Sequence, residues 1–132
     1  MIRAKRTATG KRRFPAKIVA AIDDAHYLWI RAGTDHRFIG IWAVVANGRV
    51  FVRSWYMKPA GWFEAFRESP FGAIKIGERV IPIRAVRVRS APLLAAVDKA
   101  YAAKYTTPAS IKYVRGFARG KRRETTTELT PR

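Results

Sequence analysis

The chain has 132 residues, the length of one domain, and 48 % of them are apolar, enough for a packed core and outside the range of disordered chains. It contains no cysteine, which excludes disulfides, thiolate metal sites and cysteine nucleophiles, and it has no run of about 18 or more apolar residues that would cross a membrane. Lysine and arginine number 27 against 9 acids, a net charge of +18 that attracts polyanions and small anions alike.

The bases are unevenly placed. Six lie in residues 3–13 and six more in residues 112–123. Residues 1–13 are polar and basic and read as a disordered arm ahead of a domain over residues 14–132. They lack the apolar stretch of a secretory signal, and with the absence of cysteine this points to a cytoplasmic protein. At Pro15 a helix opens, with Ile18, Val19 and Ile22 on one side; Asp23 and Asp24 are unfavourable at a helix C-terminus and mark its end. Residues 26–31 alternate as a strand, with Tyr27, Trp29 and Arg31 on one face and Leu28 and Ile30 on the other. Gly33, Thr34 and Asp35 make a turn.

Residues 38–46 form an apolar strand buried on both faces. Asn47-Gly48 is a two-residue hairpin turn, and residues 49–55 return as a strand with Val50 and Val52 opposite Phe51 and Arg53. A basic loop with Lys58 and Pro59 leads to a short helix carrying Trp62, Phe63 and Phe66 and ending before Pro70. Residues 73–76 and 79–88 are strands joined by Gly77-Glu78, with Pro82 favouring an edge or bulge. Residues 92–105 form a helix with an apolar stripe through Leu94, Val97 and Tyr101. Ser110 is a candidate cap for a further helix over residues 111–117, and residues 123–129 read as a closing strand. The whole is mainly β with α (α+β): a small barrel of about six strands with peripheral helices.

Arg53, Ser54 and Lys58 fall together at one end of the barrel wall, where a cation with fixed geometry and a hydroxyl donor suit a phosphate. Trp42, Trp55 and Trp62 are candidates for lining a flat pocket. His26 and His36 have no metal-ligand spacing with the nearby aspartates, so no metal is expected. The serines lack a nucleophile elbow, Glu64 and Glu68 read as a surface pair, and no glycine-rich nucleotide loop is present. The two basic clusters leave room for a nucleic-acid role, although no nucleic-acid-binding motif accompanies them.

Several segments in fixed order carry a resemblance: FPAKIVAAIDDAHYLWIR, IWAVVANGRVFVRSWY, Gly61-Trp62, the strand end at residues 74–77, DKAYAAKY at residues 98–105 and the TTTELTPR tail. Over about residues 14–132 the chain resembles the domain-of-unknown-function family 2255, within the FMN-binding split-barrel (pyridoxamine-phosphate-oxidase-like) superfamily. The resemblance implies a split barrel, a homodimer and a flavin, FMN or a relative such as a deazaflavin, in an oxidoreductase-like role. It also implies that Arg53, Ser54 and Lys58 bind the flavin phosphate and that the strand around Trp42 flanks the ring. The alternatives are a cofactor-free interaction scaffold and a basic nucleic-acid-associated protein.

Overall fold

The computed structural model describes residues 12–56, 58–59 and 61–132. The expected arm over residues 1–13 therefore lies, apart from Arg12 and Arg13, outside the described residues. Helix α1 (Ala16–Asp24) precedes four strands, β1 (Leu28–Ala32), β2 (Ile39–Ile41), β3 (Ala43–Ala46) and β4 (Arg49–Val52). Helix α2 (Trp62–Glu68), strands β5 (Phe71–Ile76) and β6 (Arg79–Arg87) and helix α3 (Ala91–Lys104) follow. A 3-10 turn (Pro108–Ser110) runs into α4 (Ile111–Phe117); α5 (Gly120–Glu124) and β7 (Thr127–Pro131) complete the chain.

The seven strands form one antiparallel sheet in the order β2-β1-β5-β6-β7-β4-β3. Its two outermost strands, β2 and β3, are separated in the chain by Trp42 alone. Continuity through that residue brings the two edges of the sheet together and curls it into a nearly closed barrel, with the split at Trp42. The single strand expected over residues 38–46 is thus two strands with different partners. Both halves are apolar, so periodicity does not reveal where the partner changes.

Alternation sorts the side chains into two cores. Ile18 and Ile22 of α1 join Leu28, Ile30, Val50, Val52, Ile74, Ile83 and Leu129 in the barrel core. Val44 and Phe51 point the other way and pack with Val97, Tyr101, Tyr105 and Phe117 of α3 and α4. The β3–β4 hairpin is therefore buried on both faces, as its apolar composition requires. Its turn places Asn47 at φ 56° and Gly48 at φ 73°, the left-handed pair of a type I′ turn.

Several boundaries differ from expectation, among them the return strand expected over residues 49–55, which ends at Val52 and leaves Arg53 and Ser54 just beyond it. Ser110 does not cap α4; its hydroxyl pairs with that of Thr107 at 2.8 Å, and the backbone passes from the 3-10 turn straight into the helix. The closing strand starts at Thr127, because residues 120–124 coil into α5. Pro82 lies inside β6, a central strand, yet at the register where β7 runs out: β7 pairs with Ile83 onward and its last residue, Pro131, faces Ile83. The carbonyl of Pro82 still accepts from the Arg132 N–H at 3.0 Å. Its missing N–H is on that same side, beyond the last ladder pair, so the proline costs the sheet little.

Candidate functional site

The chain leaves the β2 edge at Trp42 and returns past the end of β4 at Arg53, and an aromatic cavity of about 570 Å³ opens between these points. Trp42, Arg53, Ser54, Trp55, Lys58 and Trp62 all line it. The structure therefore brings the residues singled out in the sequence to one place, but it assigns them different situations.

Arg53 is the innermost. Its side chain is fully buried. Nε donates to Thr126 Oγ1 at 2.7 Å, Nη1 to Asp98 Oδ1 at 2.7 Å and to the Phe117 carbonyl at 2.8 Å, and Nη2 to the Leu94 carbonyl at 3.1 Å. Four of the five guanidinium N–H bonds are thus engaged by α3, α4 and the approach to β7. The Tyr101 ring lies 5.7 Å away. Asp98 holds a second cation as well, with Arg123 Nη2 at 3.0 Å from Oδ2. The result is a buried arginine tying the strand end to three other elements, in place of a guanidinium free to grip a phosphate with two parallel bonds.

Ser54 is also buried. Its backbone N–H donates to Thr125 Oγ1 at 2.8 Å and its hydroxyl to the Tyr56 carbonyl at 2.7 Å. The hydroxyl retains acceptor capacity only. Lys58 is exposed, its ammonium 5.1 Å from the Tyr56 ring centroid, with no carboxylate within ion-pair distance among the described residues. It is the free cation of the three.

The aromatic walls are rigidly stacked. The Trp42 and Tyr105 rings lie 3.9 Å apart and nearly parallel. Tyr113 meets Trp42 edge-on at 5.9 Å and Trp55 at 4.8 Å. Trp55 is held from behind by Arg122, whose guanidinium sits 3.7 Å over the indole and whose Nε donates to the Trp55 carbonyl at 2.8 Å. Trp62, at the start of α2, packs edge-on against Phe63 and Phe66. Tyr105 is fixed by its hydroxyl, which donates to the His26 carbonyl at 2.7 Å, and burial pushes its pKa up. Lys104 donates to the Ile22 and Ala43 carbonyls at 3.0 and 2.7 Å, and burial lowers its pKa.

Three contributors escaped the sequence reading: Tyr113 and Phe117, which extend the aromatic wall, and Asp98, which neutralises Arg53. Tyr113 and Phe117 stand four apart on a helix, a spacing that puts them on one face. Asp98 is an acid beside the apolar stripe of α3; nothing local to it signals a partner 45 residues away. Among the described residues no group of three or more histidines, aspartates or glutamates is placed to hold a metal ion. None of the helices described is long and apolar enough to cross a membrane.

Residues 18–129 match the model of a family described as "Uncharacterized protein conserved in bacteria (DUF2255)". The chain belongs to this family. It is also similar to a solved structure described as the conserved hypothetical protein Rv2991 from Mycobacterium tuberculosis, at 13 % identity and a TM-score of 0.54, covering 92 % of this chain and 81 % of the other. That likeness is one of fold. No curated protein matches the chain.

Proposed function

We propose that this DUF2255 protein binds a flat aromatic ligand with an anionic tail in the cavity beside Trp42, FMN being the ligand that the fold implies. The reading is carried by one observation: a free ammonium, Lys58, at a cavity lined by Trp42, Trp55 and Trp62. Aromatic walls suit a ring system through stacking and area burial, and a lysine without a carboxylate partner suits a phosphate. In this reading Lys58 faces the phosphate end, while the Ser54 hydroxyl, already donating to the Tyr56 carbonyl, has no donor left for a phosphate oxygen. Arg53 forms the wall beneath; its fully buried guanidinium braces the site and does not touch the ligand. A bound flavin would supply electron-transfer chemistry; the chain's residues bind it, orient it and exclude water.

The protein acts as a homodimer in this proposal. Tyr27, Ile39 and Tyr56 line the cavity and are exposed in the single chain, at 50 %, 39 % and 69 %. Apolar side chains around a cavity mouth suit cover by a second copy. Light scattering checks it: a doubled mass is expected, and a monomer at working concentration overturns that part.

The deciding experiment is a titration with FMN read by flavin fluorescence. Saturable micromolar binding is expected, weakened about tenfold in Lys58→Ala, as suits the loss of one charge-assisted contact. Riboflavin, which lacks the phosphate, should bind as weakly to the unaltered chain as FMN does to the variant. The engagement of Arg53 favours a second reading, a cofactor-free interaction scaffold. Absence of flavin binding at high FMN would select it.

A further inference from the structure

Trp55 also lines a second cavity, of about 450 Å³. Its lining includes Lys112, Arg119, Lys121 and Arg122 together with Gly116 and Gly120. None of the four cations has a carboxylate within ion-pair distance among the described residues. Lys112, Arg119 and Lys121 are exposed. Arg122 is half-buried and commits its Nε to the Trp55 carbonyl, which leaves its two terminal nitrogens for another acceptor. Gly116 lets the Trp55 ring pack against the helix backbone, and Gly120 takes a left-handed φ of 63°.

We propose that this cavity binds a small polyphosphate anion carrying two adjacent phosphates. Four cations that line one cavity without counter-charges repel one another, and an anion relieves that repulsion. A single carboxylate would offset one charge of the four; a diphosphate offsets most of them and offers enough oxygens for both arginines. The concave shape and the short span, residues 112–122, favour a compact ligand over the long track that a nucleic-acid strand requires. The site is separate from Lys58 and does not depend on the flavin reading.

The test is calorimetric titration with pyrophosphate at about 0.15 M salt, where long-range attraction to the net charge is screened beyond about 8 Å. It is run on the Lys58→Ala chain, so that the aromatic cavity has lost its free cation. One saturable site is expected, weakened at least tenfold by adding Arg119→Ala with Lys121→Ala. A control adds Arg79→Ala with Arg84→Ala, two exposed arginines of β6, which removes the same charge elsewhere. Binding that survives the control and fails in the test variant supports the site. Equal losses in both assign the binding to net charge and overturn it. Saturable binding to the unaltered chain that disappears in Lys58→Ala assigns the anion to the aromatic cavity and overturns it. A single-stranded oligonucleotide that binds with a steep salt dependence, while pyrophosphate does not saturate, overturns it in favour of a nucleic-acid track. ADP separates the sources: tighter binding than pyrophosphate indicates a nucleotide, equal binding a free diphosphate, and either supports the site.

Discussion

Arg53 Nη1 and Asp98 Oδ1 meet at 2.7 Å beneath the aromatic cavity, joining the end of β4 to the middle of α3. The arginine side chain is fully buried and the aspartate about one-quarter exposed. Removing the carboxylate leaves a buried guanidinium held only by two carbonyls and a hydroxyl. Breaking a buried pair in this way costs about 3 kcal/mol. Asp98→Ala is therefore expected to lower the unfolding free energy by that order, read as a lower urea midpoint with little change in slope. Arg123→Ala, which removes the more exposed partner of the same aspartate, should cost below about 1 kcal/mol. Equal effects would show that Asp98 matters through Arg123.

Gly116 lies under the six-membered ring of Trp55. A Cβ at this position would stand 2.5 and 2.6 Å from two ring carbons. Within a helix, glycine to alanine normally gains about 0.5–1 kcal/mol. Here overpacking outweighs that gain, and Gly116→Ala is expected to destabilise by about 1–3 kcal/mol, with a shift in tryptophan emission. In a Trp55→Ala background the same change should become neutral or stabilising, which thermal unfolding would read directly.

Tyr101 is fully buried and donates its hydroxyl to the Trp42 carbonyl at 3.2 Å. Burial raises the pKa of Tyr101 and Tyr105 above their ordinary value of 10.0. The unfolded chain releases these protons as pH rises past that value while the folded chain retains them. Their contribution is complete below pH 10.0 and is lost as pH climbs toward the folded pKa values. Lys104 has the opposite sign: its lowered pKa makes its contribution grow with pH toward 10.5. The urea midpoint should therefore fall above about pH 10, and the fall should be shallower in Tyr101→Phe. An unchanged alkaline slope in that variant would remove Tyr101 from the account.

Asn47 holds φ 56° beside Gly48 in the hairpin between β3 and β4. A β-branched side chain is strained there, and Asn47→Val should cost about 1–2 kcal/mol. Asn47→Gly keeps the turn and should stay within a few tenths of a kcal/mol of the parent. Denaturation midpoints of the two variants separate turn geometry from side-chain chemistry.

Much of the barrel was legible in the chain. Asn47-Gly48 located a hairpin because few residues accept two consecutive left-handed conformations. The alternation of Leu28, Trp29 and Ile30 put the first and third on one face, which the fold buries. Ile18 and Ile22 marked the buried side of α1. The break at Trp42 was not legible, since the residues on both sides of it are equally apolar.

Local order in the sequence determined the helices, strands and turns, because pattern, turn chemistry and helix breakers act between neighbours. It also put Arg53, Ser54 and Lys58 together at one end of the barrel wall. The circumstances of Arg53 were decided by tertiary structure alone. Its hydrogen-bond partners lie 41 to 73 residues away, in segments that meet only when α3, α4 and the approach to β7 close over the end of β4. A strand-end arginine reads the same whether it faces water, a phosphate or a buried aspartate. The difference is set by desolvation and by partners that the fold delivers, and neither is written in the residues beside it.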